Sequence, residues 1–216
     1  MSSANSTEKQ IIVFGEDDND RQSIKVLLCG LRPDISPSAV KLLREPMALV
    51  KDISPGKVGR KVDRVAAALR AAHARQEIRC VLMHEDADAL EPAHVAIAER
   101  IENSYAAMPW KVHAVVPAWE MEAWWFLFPD AVAALRSSWR KPDDYLNKDV
   151  GKVANAKEKL KSAVRPAGFR GKSFRGYAEK DSVDIAQKII ALQLHKKPWA
   201  ARSDSWQRFV RIANDL

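Results

Sequence analysis

The chain has 216 residues and a formal net charge of +7, with 47% hydrophobic and 29% charged residues. This composition is typical of a globular protein that buries a core, and no apolar run reaches the ~18 residues of a membrane span. Because no signal peptide is visible and the two cysteines, Cys29 and Cys80, do not form a zinc-ligand pattern, we expect a reducing, cytoplasmic location.

Short apolar runs that alternate with helical patterns predict an α/β fold with a mostly parallel sheet flanked by helices. The predicted strands are 10–14, 40–46, 78–84 and 112–116, with a further candidate strand at 47–52. The predicted helices are 18–30, 62–75, 92–106, 119–138, 183–194 and 206–213. Asp18 or Asn19 is expected to cap the first helix, and a glycine-bounded basic turn at 55–61 is expected to precede the second.

Charge is distributed unevenly along the chain. Residues 1–135 contain 16 Lys and Arg against 19 Asp and Glu, whereas residues 136–216 contain 19 against 9. We therefore predict an α/β catalytic core at 1–138 and a basic, mostly helical region at 139–216 that packs on it and contacts a polyanion. In its densest basic stretch, the residues expected to contact nucleic acid are Arg165, Arg170, Lys172 and Arg175. The alternative is that this stretch is a solvated surface loop.

Acidic clusters follow three of the predicted strands at the point where each strand ends. The clusters are Glu16-Asp17-Asp18-Asn19-Asp20, then Glu85-Asp86-Ala87-Asp88, and then Glu120-Met121-Glu122. In a parallel sheet the carboxyl ends of the strands meet at one edge, where ligands bind. Clustered carboxylates repel one another unless a cation is present, and hard ions such as Mg²⁺ or Mn²⁺ prefer such oxygen ligands. Helix capping would explain any one cluster, but it explains three at one edge less well.

The order and spacing of these motifs resemble the Toprim superfamily, especially the small Toprim-like proteins related to the OLD nucleases. The first match is Glu16 after a strand, with Asp20 four residues later, although Asp17 stands where glycine is usual. The other matches are Asp86-Ala87-Asp88, the segment Pro117–Trp124 with Glu122, and Lys180 shortly before a helix.

The resemblance implies a metal-dependent nuclease that cuts DNA or RNA, with tRNA among the candidate substrates. It also implies a role in bacterial anti-phage defence and control by an ABC-type ATPase partner. The implied metal ligands for Mg²⁺ or Mn²⁺ are Asp86, Asp88, Glu122 and Glu16, and the implied catalytic residues are Glu16, Asp20 and Lys180. A homo-oligomer is compatible with this interpretation.

Two other interpretations remain open. In the first, the fold is Toprim-like but inactive, and the protein only docks on an ATPase or on nucleic acid. In the second, the protein is a receiver-like signalling module phosphorylated at Asp52, with Lys148 as its late lysine. The short interval between Asp17 and Asp52 disfavours the receiver, because it leaves little room for a helix and a strand. His84 adjoins the second cluster, and we expect it to be packed or hydrogen-bonded rather than bound to metal.

Overall fold

A computed structural model describes residues 8–43, 53–169, 174–197 and 202–216. Its strands are β1 (Gln10–Phe14), β2 (Val40–Leu42), β3 (Ile78–His84) and β4 (Val112–Val115). Its helices are α1 (Asp18–Leu31), α2 (Pro55–His73), α3 (Ala93–Ser104), α4 (Glu122–Trp125), α5 (Pro129–Leu135), α6 (Ala156–Ala163), α7 (Asp181–Ala191) and α8 (Asp204–Asn214). Short 3-10 turns lie at Asp143–Tyr145, Val150–Lys152 and Leu194–Lys196. The described helices include none that is long and apolar enough to cross a membrane.

The four strands form one parallel sheet in the order β2-β1-β3-β4, which confirms the predicted α/β class. All five residues of β1 are buried, as expected for parallel strands covered on both faces. The chain moves from β1 outward to β2 and then crosses to β3 on the other side of β1. This reversal places a topological switch point between the carboxyl ends of β1 and β3, where ligand crevices form in sheets of this kind.

Helices cover both faces of the sheet. On one face Val13 and Leu82 belong to the same hydrophobic cluster as Leu27 of α1 and Ile185 of α7. On the other face Ile12 and Val81 pack with residues of α2 and α3. Side chains from both sides of residue 138 therefore share one hydrophobic cluster, and the division into two domains stays a prediction.

Several predicted boundaries differ from the structure. The segment 55–61 is the first part of α2 rather than a turn, because proline is well suited to the first turn of a helix and Gly56 and Gly59 are tolerated there. The helix predicted over 119–138 is divided into α4 and α5, and α5 begins at Pro129. Helix α6 was not predicted as a separate element, and the residues of a strand at 47–52 lie outside the described residues. Asp17, not Asp18 or Asn19, caps α1 by accepting a hydrogen bond from the backbone N–H of Asp20.

A buried carboxylate holds α8 against the sheet. Glu91 is 4% exposed, and it accepts hydrogen bonds from the backbone N–H groups of Asp204 and Ser205 and from the Ser203 hydroxyl, at 2.7–2.8 Å. Burial alone would raise the pKa of Glu91, but these hydrogen bonds outweigh burial and lower it. The Glu91 carboxylate thus satisfies the first N–H groups of α8.

We expect Gly151→Ala to destabilise the protein by about 1–3 kcal/mol, the usual cost of overpacking. A Cβ on Gly151 would overlap the carboxyl group of Glu91, and Glu91 cannot move away without losing its hydrogen bonds to α8. The measurement is urea unfolding. Gly59→Ala is the control, since nothing lies within 4 Å of its new Cβ. Equal stability of Gly151→Ala and the parent protein would contradict the inference that the Glu91 carboxylate holds α8 in place.

Candidate active site at the carboxyl ends of three strands

Backbone hydrogen bonds hold the loops after β3 and β4 side by side. The N–H of Ala87 donates to the carbonyl of Pro117 at 3.1 Å, and the N–H of Asp88 donates to the carbonyl of Trp119 at 2.9 Å. Asp88 and Trp119 have left-handed backbones, with φ of 48° and 61°, which is uncommon for residues other than glycine. Such conformations persist where the surrounding structure enforces them, and they recur at functional sites.

The loop after β1 joins this pair. The carboxylate of Glu16 accepts a hydrogen bond from the backbone N–H of Asp86 at 3.0 Å. Asp86 is also close enough to Asp20, Glu120 and Glu122 for its charge to raise the pKa of each. The structure therefore brings acids from all three clusters to one edge of the sheet. Asp88, the last acid of the second cluster, is exposed, and its charge acts on Glu120.

A fully buried histidine lies between two of these acids. The Nδ1 atom of His84 is 3.7 Å from an oxygen of Asp20, and its Nε2 atom is 3.3 Å from an oxygen of Asp86. Burial alone would lower the pKa of His84, but Asp20 and Asp86 outweigh burial and raise it, so that the imidazole is held as a cation. Burial, reinforced by neighbouring acids including Asp86, raises the pKa of Asp20 despite the nearby His84. His84 is therefore packed in the interior beside the two acids, as expected, although neither of its ring nitrogens makes a hydrogen bond within the described residues.

Glu122 lies at the first position of α4 and is only 4% exposed. It accepts a hydrogen bond from the Tyr177 hydroxyl at 2.8 Å, and that hydroxyl also contacts Ser182 of α7. Burial raises the pKa of Glu122 to about 7, and the charge of Asp86 adds to the increase, while Tyr177 and Lys157 oppose it. A carboxyl group that titrates near neutral pH is suited to proton transfer or to binding a cation.

The lysine that contacts this site is Lys157, near the start of α6. Its backbone N–H donates to the Glu120 carboxylate at 3.0 Å, and its Nζ atom lies 2.8 Å from a Glu179 oxygen. Burial opposes the charge of Lys157, but Glu179, Glu122 and Glu120 outweigh burial and raise its pKa. No motif in the sequence indicated Lys157 or Tyr177, because both reach the site only through the packing of the C-terminal region.

The other predicted site residues are less closely tied to the acids. Lys180 is exposed and immediately precedes α7, where its catalytic role stays a prediction. Arg165 is exposed and donates to the Phe169 carbonyl at 3.4 Å, while Arg175 lies 3.5 Å from Asp181. Arg170 and Lys172 lie outside the described residues.

The described residues do not test the receiver interpretation. Asp52 lies outside the described residues. Lys148 extends over the Tyr145 ring, with its Nζ atom 5.5 Å from the ring centre. The receiver interpretation stays a prediction.

No group of three or more His, Cys, Asp or Glu side chains within the described ranges is arranged to hold a metal ion. Oxygens of three of these acids have other contacts: Asp86 with His84, Glu16 with the backbone N–H of Asp86, and Glu122 with the Tyr177 hydroxyl. The chemistry of the acids nevertheless fits a hard divalent cation, since carboxylate oxygens are its preferred ligands. Burial is the main reason that the pKa values of Asp20 and Glu122 are raised, and the charge of Asp86 raises both further.

Comparison of the chain with protein-family models, with curated proteins and with solved structures finds no match. The fold and the arrangement of the acids define an α/β protein with an acidic crevice at the switch point of its sheet. The relationship to Toprim-like proteins rests on the sequence motifs and stays a prediction.

We expect Glu122→Gln to stabilise the metal-free protein at pH 8 relative to the parent, but to change its stability little near pH 4. A raised pKa means that the folded state favours the protonated acid, so its stabilising effect is lost as pH rises from about 4.5 to about 7. The difference between the two proteins should change by on the order of 3 kcal/mol over that range. Urea unfolding in EDTA at several pH values measures it.

Glu158→Gln provides the control, because Glu158 is an exposed acid of α6 paired with Lys161. Its stability should follow that of the parent at each pH. If Glu122→Gln also followed the parent at each pH, the raised pKa that burial gives Glu122 would be disproved.

Proposed function

We propose that this protein is a metal-dependent phosphodiesterase that hydrolyses nucleic acid. The observation that carries the proposal is the meeting of acids from three strand ends around Asp86 at the switch point of the sheet. A purely structural role does not require buried carboxyl groups with raised pKa values, since burying them costs stability. Phosphodiester hydrolysis does use a cluster of carboxyl groups, because the reaction needs both metal ligands and groups that transfer protons.

The acids would divide between metal binding and proton transfer. Asp86, Asp88, Glu16 and Glu122 would hold Mg²⁺ or Mn²⁺, as the resemblance implies, and Asp20 lies beside them on α1. A bound divalent ion supplies charge stabilisation for the phosphoryl oxygens and activates water. Asp20, whose pKa is raised to about 7 and which is not among these metal ligands, is the carboxyl group suited to exchanging a proton near pH 7.

A lysine side chain can supply the positive charge that phosphodiester hydrolysis also requires. The Lys157 side chain is about 30% exposed and lies between Glu179 and the third acidic cluster. We therefore propose Lys157, in addition to Lys180, as a candidate to balance the negative charge of a phosphate in the transition state. The net positive charge of residues 136–216 supports a polyanionic substrate.

The resemblance to Toprim-like proteins extends the proposal to biological context. On that analogy the substrate is DNA or RNA, the setting is bacterial anti-phage defence, and an ABC-type ATPase partner controls the activity. This extension rests on analogy of motifs alone, and fold does not determine function.

One observation favours the inactive alternative. The imidazolium of His84 lies between Asp20 and Asp86 and can balance part of their charge without a metal. In that case His84, Asp20 and Asp86 form an internal salt bridge, and the protein acts as a docking subunit for an ATPase or for nucleic acid.

Cleavage of DNA, total RNA and tRNA by the full chain, with Mg²⁺, Mn²⁺ or EDTA, separates these two functions. We expect metal-dependent cleavage that Asp86→Ala reduces by more than about 100-fold, because Asp86 is at the centre of the acid group. Asp63→Ala is the control, since it removes an exposed acid of α2 on the other face of the sheet and should leave cleavage unchanged.

Cleavage that survives in Asp86→Ala would remove the proposed site. Absence of cleavage with every metal and substrate, including after addition of a co-purified ATPase, would favour the docking subunit. Circular dichroism of both variants establishes that loss of activity is not loss of fold.

A further inference from the structure

A cavity of about 520 Å³ lies between α6 and the preceding 3-10 turns, outside the acidic crevice. Its ionisable lining residues are Arg140, Lys148, Lys152, Lys159, Asp144 and Asp149. Ligand cavities of this order accommodate a group the size of a nucleotide. Lys152 and Lys159 fall within the densest basic stretch of the sequence, Lys152 to Arg175, but they are not the residues predicted there to contact nucleic acid.

Positive charge dominates this cavity. Both acids already have a cationic partner, because Asp144 pairs with Arg140 and Asp149 lies 3.3 Å from Arg202. The three lysines have no acid partner among the described contacts: Lys148 lies over the Tyr145 ring, Lys152 donates to the Glu91 carbonyl, and Lys159 is exposed. Three lysines around one concavity attract an anion more strongly than isolated surface lysines do.

The backbone that presents these lysines is anchored. The N–H of Arg202 donates to the Lys148 carbonyl at 3.2 Å, and the N–H of Val150 donates to the Arg202 carbonyl at 2.9 Å. Val150 and Leu160 are fully buried beneath the cavity. The lysines therefore lie on a backbone that is held in place, so a ligand would need to order their side chains but not the backbone.

Helix α6 connects the cavity to the acidic crevice. Lys157 contacts the third acidic cluster, whereas Lys159 lines the cavity. Residues two apart on a helix lie about 200° apart, so these lysines face opposite sides of α6. The cavity and the acidic crevice therefore lie on two sides of a single helix, which with its side chains is about 10–12 Å thick.

We propose that this cavity binds phosphate groups of a single nucleic-acid strand whose neighbouring segment reaches the acidic crevice across α6. The inference rests on the proposed function, and it names the substrate as a polyanionic strand rather than a small phosphate ester. It assigns the binding to Lys148, Lys152 and Lys159.

Binding without cleavage tests this inference. The full chain in EDTA is titrated against a fluorescein-labelled single-stranded oligodeoxynucleotide, and anisotropy is followed over a series of salt concentrations. We expect Lys148→Glu/Lys159→Glu to weaken binding at low salt by about tenfold or more. The slope of log affinity against log salt should fall by roughly 0.7 for each phosphate that the variant no longer neutralises.

Lys188→Glu/Lys196→Glu is the matched control. It makes the same change in net charge, within the same basic half of the chain, at two exposed residues of α7 and the following turn. Only a larger loss in the cavity variant supports the proposal. Equal losses in the two variants, or an unchanged salt slope in the cavity variant, would overturn it.

Titration with a mononucleotide tests whether the cavity binds a single nucleotide or a nucleic-acid strand. Isothermal titration with AMP should show binding much weaker than that of the oligodeoxynucleotide, because one phosphate makes fewer contacts. If AMP bound as tightly and Lys148→Glu/Lys159→Glu abolished this binding, the cavity would be a nucleotide site and the strand proposal would be wrong. Strand binding that depends on the cavity without any cleavage would reject the proposed nuclease but keep this inference.

Discussion

The crowding of carboxyl groups around Asp86 is the constraint on which the rest of the site depends. The charge of Asp86 acts on Asp20 after β1 and on Glu120 and Glu122 after β4. Each neighbour is balanced differently: Asp20 by the imidazolium of His84, Glu120 by Lys157, and Glu122 by the Tyr177 hydroxyl and Lys157. Because Lys157 and Tyr177 belong to the C-terminal region, the acidic crevice requires that region for its electrostatic balance.

The same C-terminal region fixes the geometry of the loops. Ser205 of α8 accepts hydrogen bonds from the Trp124 indole at 3.0 Å and from the backbone N–H of Ala118 at 3.2 Å. Glu91 caps α8 from the loop that follows the second acidic cluster. Helix α8 therefore connects the loops that carry the second and third clusters. Such bracing allows the left-handed backbones of Asp88 and Trp119 to persist.

The sequence predicted those features that depend on local pattern and on the rules of parallel sheets. The apolar runs of β1, β3 and β4 located the strands, and the placement of acids after them predicted the common edge. The contacts of His84, Lys157 and Tyr177 could not be predicted, because they depend on side chains distant in the chain. The start of α2 was misplaced because glycines were interpreted as a turn, although Pro55 begins a helix there. Metal binding depends on the orientation of the acidic side chains, which the spacing of the acids in the sequence does not determine.

His84 and a divalent metal ion would compete for the same negative charge. Both are attracted by oxygens of Asp86, and a second cation nearby makes the imidazolium less favourable. Binding of a metal would therefore lower the pKa of His84, Asp20 and Glu122 together and release protons, as metal binding to protonated ligands generally does. The metal-free crevice instead retains its protons and keeps His84 charged. Without a metal, the positive charge of His84 would offset part of the repulsion between Asp20 and Asp86, the two acids that it contacts.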